Sequence, residues 1–242
     1  MTTLKDRVRV IPVRTEAERA DAMQVLRDTY LAEKHWVNDE AKLFPLEDLA
    51  SPAVSWFAVY DSRKPVGVLR VLYDPPLELY REYGFKQLVN GLDVEAFIRN
   101  HRIAEIGRFA VLPPYRKFIL VVAGLMRAAS KETVGRGYTH YITDIFEGET
   151  HSPYQFHTRV MGFQPVATHD VGELNCPNRR ITMVLDLPEA YRNLRLHQNW
   201  IYRFLTEDWD ESLHQKLLET DSRNRRPASG NPLAHPSPLP PG

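Results

Sequence analysis

Two ionisable residues interrupt an apolar, strand-like run, Ile103-Ala104-Glu105-Ile106-Gly107-Arg108-Phe109-Ala110-Val111. A carboxylate or guanidinium withdrawn from water needs a partner. A carboxylate in that setting has a raised pKa, which suits a general base. The plainer alternative is a structural ion pair, or two charges on the open face of an edge strand. Strict alternation puts Glu105 and Arg108 on opposite faces. A bulge near Gly107 would bring them to one side and free a backbone N–H next to them. Pro113-Pro114-Tyr115-Arg116-Lys117 follows and opens an apolar helix. A strand feeding a helix start offers unpaired N–H groups and the positive end of the macrodipole. With Arg116 and Lys117 it reads as an anion site, or else as an ordinary solvated helix start.

Other chemistries fit the sequence poorly. There is no Gly-x-Ser-x-Gly elbow, and the lone Cys176 lies between Asn175 and Pro177, an unpromising place for a nucleophile. No phosphate-binding loop and no Gly-x-Gly-x-x-Gly occurs, which argues against nucleoside triphosphates and dinucleotides. The nine histidines include no His-x-x-x-His pair, and His151 and His157 share no helix face well, so no metal is expected. The 242 residues carry 31 Lys+Arg against 31 Asp+Glu, a formal net charge of zero that excludes a bulk drive towards nucleic acid or acidic membranes. A single cysteine excludes an internal disulfide. The longest aliphatic run, Phe118 to Met126, is about half the ~20 residues that span a bilayer. The first residues lead into no apolar leader, so a cytoplasmic protein without a transmembrane segment is expected.

The elements that must position Glu105 and Arg108 follow from periodicity. Strands are expected over Arg7–Val13, with Pro12 confining it to an edge, over Arg102–Leu112, Tyr138–Ile145, Phe163–Thr168 and Arg180–Leu187. Ser55–Tyr60 and Pro65–Tyr73 form a hairpin turning at residues 61–64. Helices are expected over Glu16–Leu31 behind the N-cap Thr15, over Lys117–Val134, and over Ser152–Met161 with Gly162 ending it. Leu43–Pro52 reads as loop, Leu77–Asn100 as a helical excursion, and Glu189–Thr220 as one or two further helices. Six prolines fall within Pro227–Gly242, which reads as a disordered tail, a loose end or a docking segment. The order specifies an α/β (α+β) fold, a mixed sheet with helices on both faces.

The stretch EIGRFAVLPPYRK (residues 105–117), then a helix, a strand and HSPYQFHTRVMGF (residues 151–163), resembles the core of the GNAT acyltransferases. More narrowly it resembles the branch that holds the long-chain N-acyl amino acid synthases and the acyl-homoserine-lactone synthases. Arg27, Trp36, Gly67, Arg70, Glu105, Arg108 and Phe109 match that branch's ordered set, and the similarity covers roughly residues 8–187. The resemblance implies a GNAT-like, mostly antiparallel central sheet with a V-shaped gap between two parallel strands. It implies an acyltransferase domain over residues 1–190, a helical extension over 191–222 and the proline-rich tail over 223–242. Ordinary CoA-dependent members carry glycines at the start of the central helix, where backbone amides approach the pyrophosphate. Here Phe118, Ile119, Leu120 and Val121 stand there. The implied donor is therefore an acyl group on acyl-carrier protein, with acyl-CoA as the other option and no permanently bound cofactor. Phe156-His157 replaces the branch's Phe-Tyr, and only Asp39, Glu40, Glu47 and Asp48 echo the lactone synthases' acidic cluster.

The implied reaction is aminolysis of a thioester. Glu105 would take the proton that a neutral attacking amine must lose. Arg108, or an N–H near Phe109 or Ala110, would hold the oxyanion. His157, Tyr154 or solvent would protonate the thiolate. Phe109, Ala110, Val111, Arg116 and Lys117 would bind the acyl donor, the last two suiting an acidic carrier. Arg27, Trp36 and Arg70 would bind the acceptor, an amino acid or similar small amine, the arginines through its carboxylate. Trp36 and Trp56 read as core or as acyl-tunnel lining. The excursion over residues 77–100 reads as a decoration or as the wall of a fatty-acyl pocket. Two other functions remain open at this point, an acetyl-CoA-dependent amine acetyltransferase and a non-catalytic GNAT-fold acyl-binding or interaction module.

Overall fold

The computed structural model describes residues 7–78, 82–149, 152–198 and 200–224. Its centre is an eight-stranded sheet made of β1 (Val8–Pro12), β2 (Val54–Asp61), β3 (Lys64–Tyr73), β4 (Lys86–Gln87), β5 (Ile103–Val111), β6 (His140–Phe146), β7 (Gln164–His169) and β8 (Arg180–Asp186). The spatial order is β1-β2-β3-β5-β6-β8-β7-β4. Every neighbouring pair is antiparallel except β5 and β6. β1 lies at one edge, where Pro12, lacking an N–H, is tolerated.

Helix α1 (Glu16–Leu26) starts at a capping box in which the Thr15 hydroxyl accepts from the Glu18 N–H and the Glu18 carboxylate accepts from the Thr15 N–H. Its α geometry ends sooner than periodicity suggests, because residues Arg27–Glu33 widen into a π-helical turn. The Thr29 hydroxyl donates back to the Val25 carbonyl at 2.7 Å, a local bond that competes with the regular ladder. α1 packs Ala22, Met23, Val25 and Leu26 against Trp56, Ala58, Val68 and Ala110 on one sheet face. The opposite face is covered by α3 (Ile119–Gly135), through Val121, Leu125, Met126 and Ala129.

Among the described residues of the 77–100 excursion most are irregular, and Val94–Asn100 forms helix α2. Gly84 and Gly91 adopt φ +72° and +77°, which breaks any longer helix. Leu77, Val89, Leu92, Phe97 and Ile98 pack over Ile103, Ile142, Val166 and Val184. Strand alternation places those four on the same face as α1. Among the described residues the C-terminal segment forms three helices rather than one or two: α4 (Leu187–His197), α5 (Trp200–Thr206) and α6 (Glu211–Asn224). Gln198 at φ +47° ends α4. Tyr191, Ile201, Leu205, Leu213 and Leu217 join these helices to the α3 core. The proline-rich tail from Pro227, like His151, lies outside the described residues. Among the described residues no helix is long and apolar enough to cross a membrane.

Two irregularities in the middle of the sheet create the site. β5 and β6 pair only at Ile103↔His140, Ala104↔Tyr141 and Glu105↔Ile142, and the ladder stops there. Beyond it the two parallel strands part, and the Thr143 hydroxyl donates to the Ile106 carbonyl at 2.9 Å where they begin to separate. On the other side of β5 the register passes from Arg70↔Gly107 to Val68↔Ala110. Arg108 and Phe109 thus share the place opposite Leu69, a β-bulge. Arg108 takes φ +47°, a left-handed conformation that costs an L-residue about 1–2 kcal/mol.

Candidate active site

The parted strands open into a cavity of about 660 Å³. The bulge turns the Arg108 side chain to the face that already carries Glu105 and Arg70, so both charges of the apolar run reach one space. Arg70 Nη2 donates to Glu105 Oε1 at 3.0 Å across Gly107, whose missing side chain leaves room for the pair. Burial raises the Glu105 pKa above the usual carboxylate range, and the nearby Arg70 charge only partly opposes this. The Arg108 side chain is 3% exposed and donates to the Lys42 carbonyl at 3.1 Å and to the Glu173 carboxylate. Its guanidinium lies 5.9 Å from the Tyr30 ring centre. The Tyr30 hydroxyl donates to the Phe109 carbonyl at 3.3 Å, and burial pushes its pKa up to about 12.

Asp144 on β6 faces the same cavity. Its carboxylate accepts from the Thr182 hydroxyl at 2.7 Å and lies 3.1 Å from His169 Nε2. Burial works to lower the His169 pKa, but the Asp144 carboxylate outweighs it and the net shift is upward. His157 also lines the cavity, 1% exposed. A carbonyl can only accept, so its Nδ1 carries the proton donated to the Pro153 carbonyl at 2.9 Å. Burial drives its pKa down to about 4, leaving a neutral ring whose Nε2 holds a lone pair. In this state the ring has no proton to give at Nε2.

Phe109, Ala110, Val111, Arg116, Lys117 and Trp36 all line the cavity. The Arg116 guanidinium is committed to the Glu33 carboxylate and the Val111 carbonyl, whereas Lys117 is exposed. Trp36 packs edge-on to Tyr30 and against Phe146. Trp56 is instead core, stacked on Phe44, with its indole N–H donating to Asp48 at 2.8 Å. Arg27 does not reach the cavity. It is bound on the surface to Glu40 at 2.5 Å, whereas Tyr30 continues the buried stripe of Ala22 and Leu26 and lines the cavity. Cys176 is buried and does not line the cavity.

Sequence reasoning missed Glu173, Asp144 and Tyr30, and also Tyr83, which lines the cavity and stacks on the His169 ring at 5.7 Å between centres. Asp144 carried a weak signal, a carboxylate within the strand-like run Tyr138–Ile145. Glu173 carried none, since it stands in a loop and meets Arg108 only through the fold.

A sequence profile described as N-acyl amino acid synthase FeeM matches residues 21–185, more than half of the chain. The chain belongs to the FeeM family of N-acyl amino acid synthases. The solved structure of FeeM, an N-acyl amino acid synthase from uncultured soil microbes, superposes with a TM-score of 0.59 at 17% identity, covering 82% of this chain and 98% of that one. A protein assigned to the GNAT acetyltransferases in Desulfovibrio desulfuricans gives a TM-score of 0.52 at 12% identity, covering 74% and 99%. Arabidopsis thaliana NAA60 in complex with a bisubstrate analogue gives 0.51 at 14%, covering 74% and 97%. At these identities the likeness shows the fold, which is GNAT. No curated protein sequence matches. Membership of the FeeM family makes the chain an N-acyltransferase, and the parted β5–β6 pair is the gap expected of a GNAT sheet.

Proposed function

We propose that this FeeM-family enzyme transfers a long-chain acyl group from acyl-carrier protein to the amine of an amino acid. The observation that carries this reading is the Glu105–Arg70–Arg108 group on one face of the parted strands. The neutral amine attacks the thioester carbonyl, forming the C–N bond. Glu105, with its raised pKa, accepts the ammonium proton directly or through a water. The oxyanion is held by an N–H of the splayed β5 edge near Phe109 and Ala110, which leaves Arg108 for the acceptor. Collapse breaks the C–S bond, and solvent protonates the departing thiolate. The neutral His157 borders the acyl thioester as an acceptor of hydrogen bonds. Arg70 and Arg108 receive the acceptor's carboxylate, for which a planar fork is well suited.

The donor end supports a carrier protein. Bulky side chains occupy the start of α3, and the exposed Lys117, Phe118 and Ile119 form a cationic and apolar patch at the cavity mouth. An acidic carrier fits that patch. A second cavity of about 630 Å³ supports a long acyl chain. It lies under the 77–100 excursion, floored by Ile142, Val166 and Val184 and roofed by Leu92, Phe97 and Ile98. Pro76 and Tyr83 border the first cavity while their neighbours Leu77 and Gly84 border the second, so the two lie side by side on one sheet face.

Mass spectrometry of lipid extracts from cells expressing the chain tests the reading. An N-acylated amino acid absent from control cells is expected, and Val184→Phe should shorten its acyl chain. Only N-acetylated amines, or no new product, would overturn the long-chain assignment.

A further inference from the structure

The two arginines of the site are each short of an acceptor. Arg70 Nε and Arg108 Nε are buried and have no hydrogen-bond partner among the described residues. Their side chains are 14% and 3% exposed and both line the 660 Å³ cavity. Among the described residues the carboxylate that bridges them is Glu173, paired with Arg108 Nη2 and 3.9 Å from Arg70 Nη2. Unlike the arginines, the Glu173 side chain is 56% exposed. A half-exposed carboxylate therefore lies on two deeply withdrawn guanidinium groups that still have N–H donors to spare.

The backbone around Glu173 is pinned on both sides. Arg180, 3% exposed, donates to the Asp170 carbonyl at 2.8 Å and to the Leu174 carbonyl at 2.5 Å. Gly172 makes this approach possible, since a Cβ there would sit 2.8 Å from Arg180 Nε. The Asn175 N–H donates to the Trp36 carbonyl at 2.7 Å. Only rotation of the Glu173 side chain into solvent is needed to uncover the arginines, with the loop itself held in place.

We propose that Glu173 is an internal occupant of the acceptor-carboxylate subsite, displaced when a carboxylate-bearing acceptor binds. This rests on the amino acid acceptor named above. The consequence is a tuned affinity. An acceptor with a carboxylate replaces the bonds Glu173 gives up, but it must first compete with Glu173 for the arginines. A ligand without a carboxylate leaves the pair intact, because stripping two buried guanidinium groups of their counter-charge is costly. Glu173 thus weakens carboxylate binding at this subsite and has little influence on ligands that lack a carboxylate.

The test compares the wild-type protein with Glu173→Gln, and with Glu173→Ala as a second variant, each checked for an unchanged fold by circular dichroism. Binding of propionate and of propionamide is measured by titration. Propionate carries only the carboxylate, so its binding reports the subsite independently of turnover. Removing the internal competitor should tighten propionate about tenfold, the weight of one charge-assisted hydrogen bond, and leave propionamide unchanged. Where acyl transfer is measurable, KM for the amino acid should fall by a similar factor, and KM for its amide should not. Equal changes for propionate and propionamide, or no gain for propionate, would overturn the proposal. So would weaker amino acid binding, because Glu173 would then hold the ammonium. Absence of acyl transfer to any amino acid would sink the proposed function instead, leaving the propionate result to decide on the subsite.

Discussion

Replacing Gly107 with alanine adds one methyl group at the most sensitive point of the site. An ideal Cβ there lies 2.9 Å from Glu105 Oε1 and 3.0 Å from Arg70 Nη2, inside the 3.4 Å at which ordinary contact begins. Both groups are ends of side chains, so each retreats by roughly half an ångström and the backbone stays put. Stability should hardly change. Crowding costs about 1 kcal/mol, and lost freedom of the unfolded chain returns roughly 0.4–1 kcal/mol. Activity should respond far more. A misplacement of 1 Å can cost about 100-fold, so half of that suggests roughly a tenfold fall in kcat/KM. Moving Arg70 away from Glu105 also weakens the interaction that opposes the raised Glu105 pKa. The acid limb of the pH–rate profile should therefore move to higher pH than in wild type. Steady-state kinetics across pH, with thermal melting alongside, measures all three. An unchanged kcat/KM with an unmoved acid limb would refute the placement of the Arg70–Glu105 pair at the reacting centre.

Glu105→Gln should lower kcat about 10²–10⁴-fold, the usual weight of a general base, and abolish the acid limb. In the wild type that limb should lie above the ordinary carboxylate range, with activity lost as pH falls through it, because burial raises Glu105. Lys117→Glu should raise KM for acyl-carrier protein about tenfold at low salt, with a smaller effect on acyl-pantetheine and a gap that narrows as salt screens the patch. His157 and His140 have pKa values pushed down by burial to about 4 and about 3, against about 6.5 when unfolded. The unfolded chain therefore takes up protons that the native chain refuses between pH 6.5 and 4. Stability is full above that window and falls on acidification, by up to about 1.4 kcal/mol per pH unit for each histidine. Denaturant titrations from pH 7 to 5 should show this slope, and His157→Phe should reduce it; an unchanged slope in that variant would contradict the assignment.

The sequence spoke most clearly where the chain violates its own local pattern. Two charges and a glycine in an otherwise apolar strand raised a bulge near Gly107 and a shared face as one option beside a plain ion pair or exposed charges, and the structure supplies a bulge at Arg108 and Phe109. Strand and helix order was readable for the same reason, since half-buried strands and a buried central helix impose different periods. Tertiary contacts hid the rest. Helical spacing gave no sign of the π-helical turn at Arg27–Glu33, or of the Glu40 partner that holds Arg27 on the surface, outside the cavity that Tyr30 lines. The apolar residues of the 77–100 excursion suggested helix, yet most of them serve an irregular roof broken at Gly84 and Gly91. Glu173 was illegible because nothing local marks it. Its meaning comes from Arg108, 65 residues away in the chain.

The most direct test of amide-forming acyl transfer at Glu105 is a stoichiometry. Purified enzyme, an acyl-carrier protein thioester and an amino acid are mixed, and released thiol and N-acyl amino acid are quantified together. One thiol per amide is expected, with neither formed when the amino acid is omitted, and both rates falling together by at least about 100-fold in Glu105→Gln. Thiol release without amide, or amide formation at the wild-type rate in Glu105→Gln, would contradict the account.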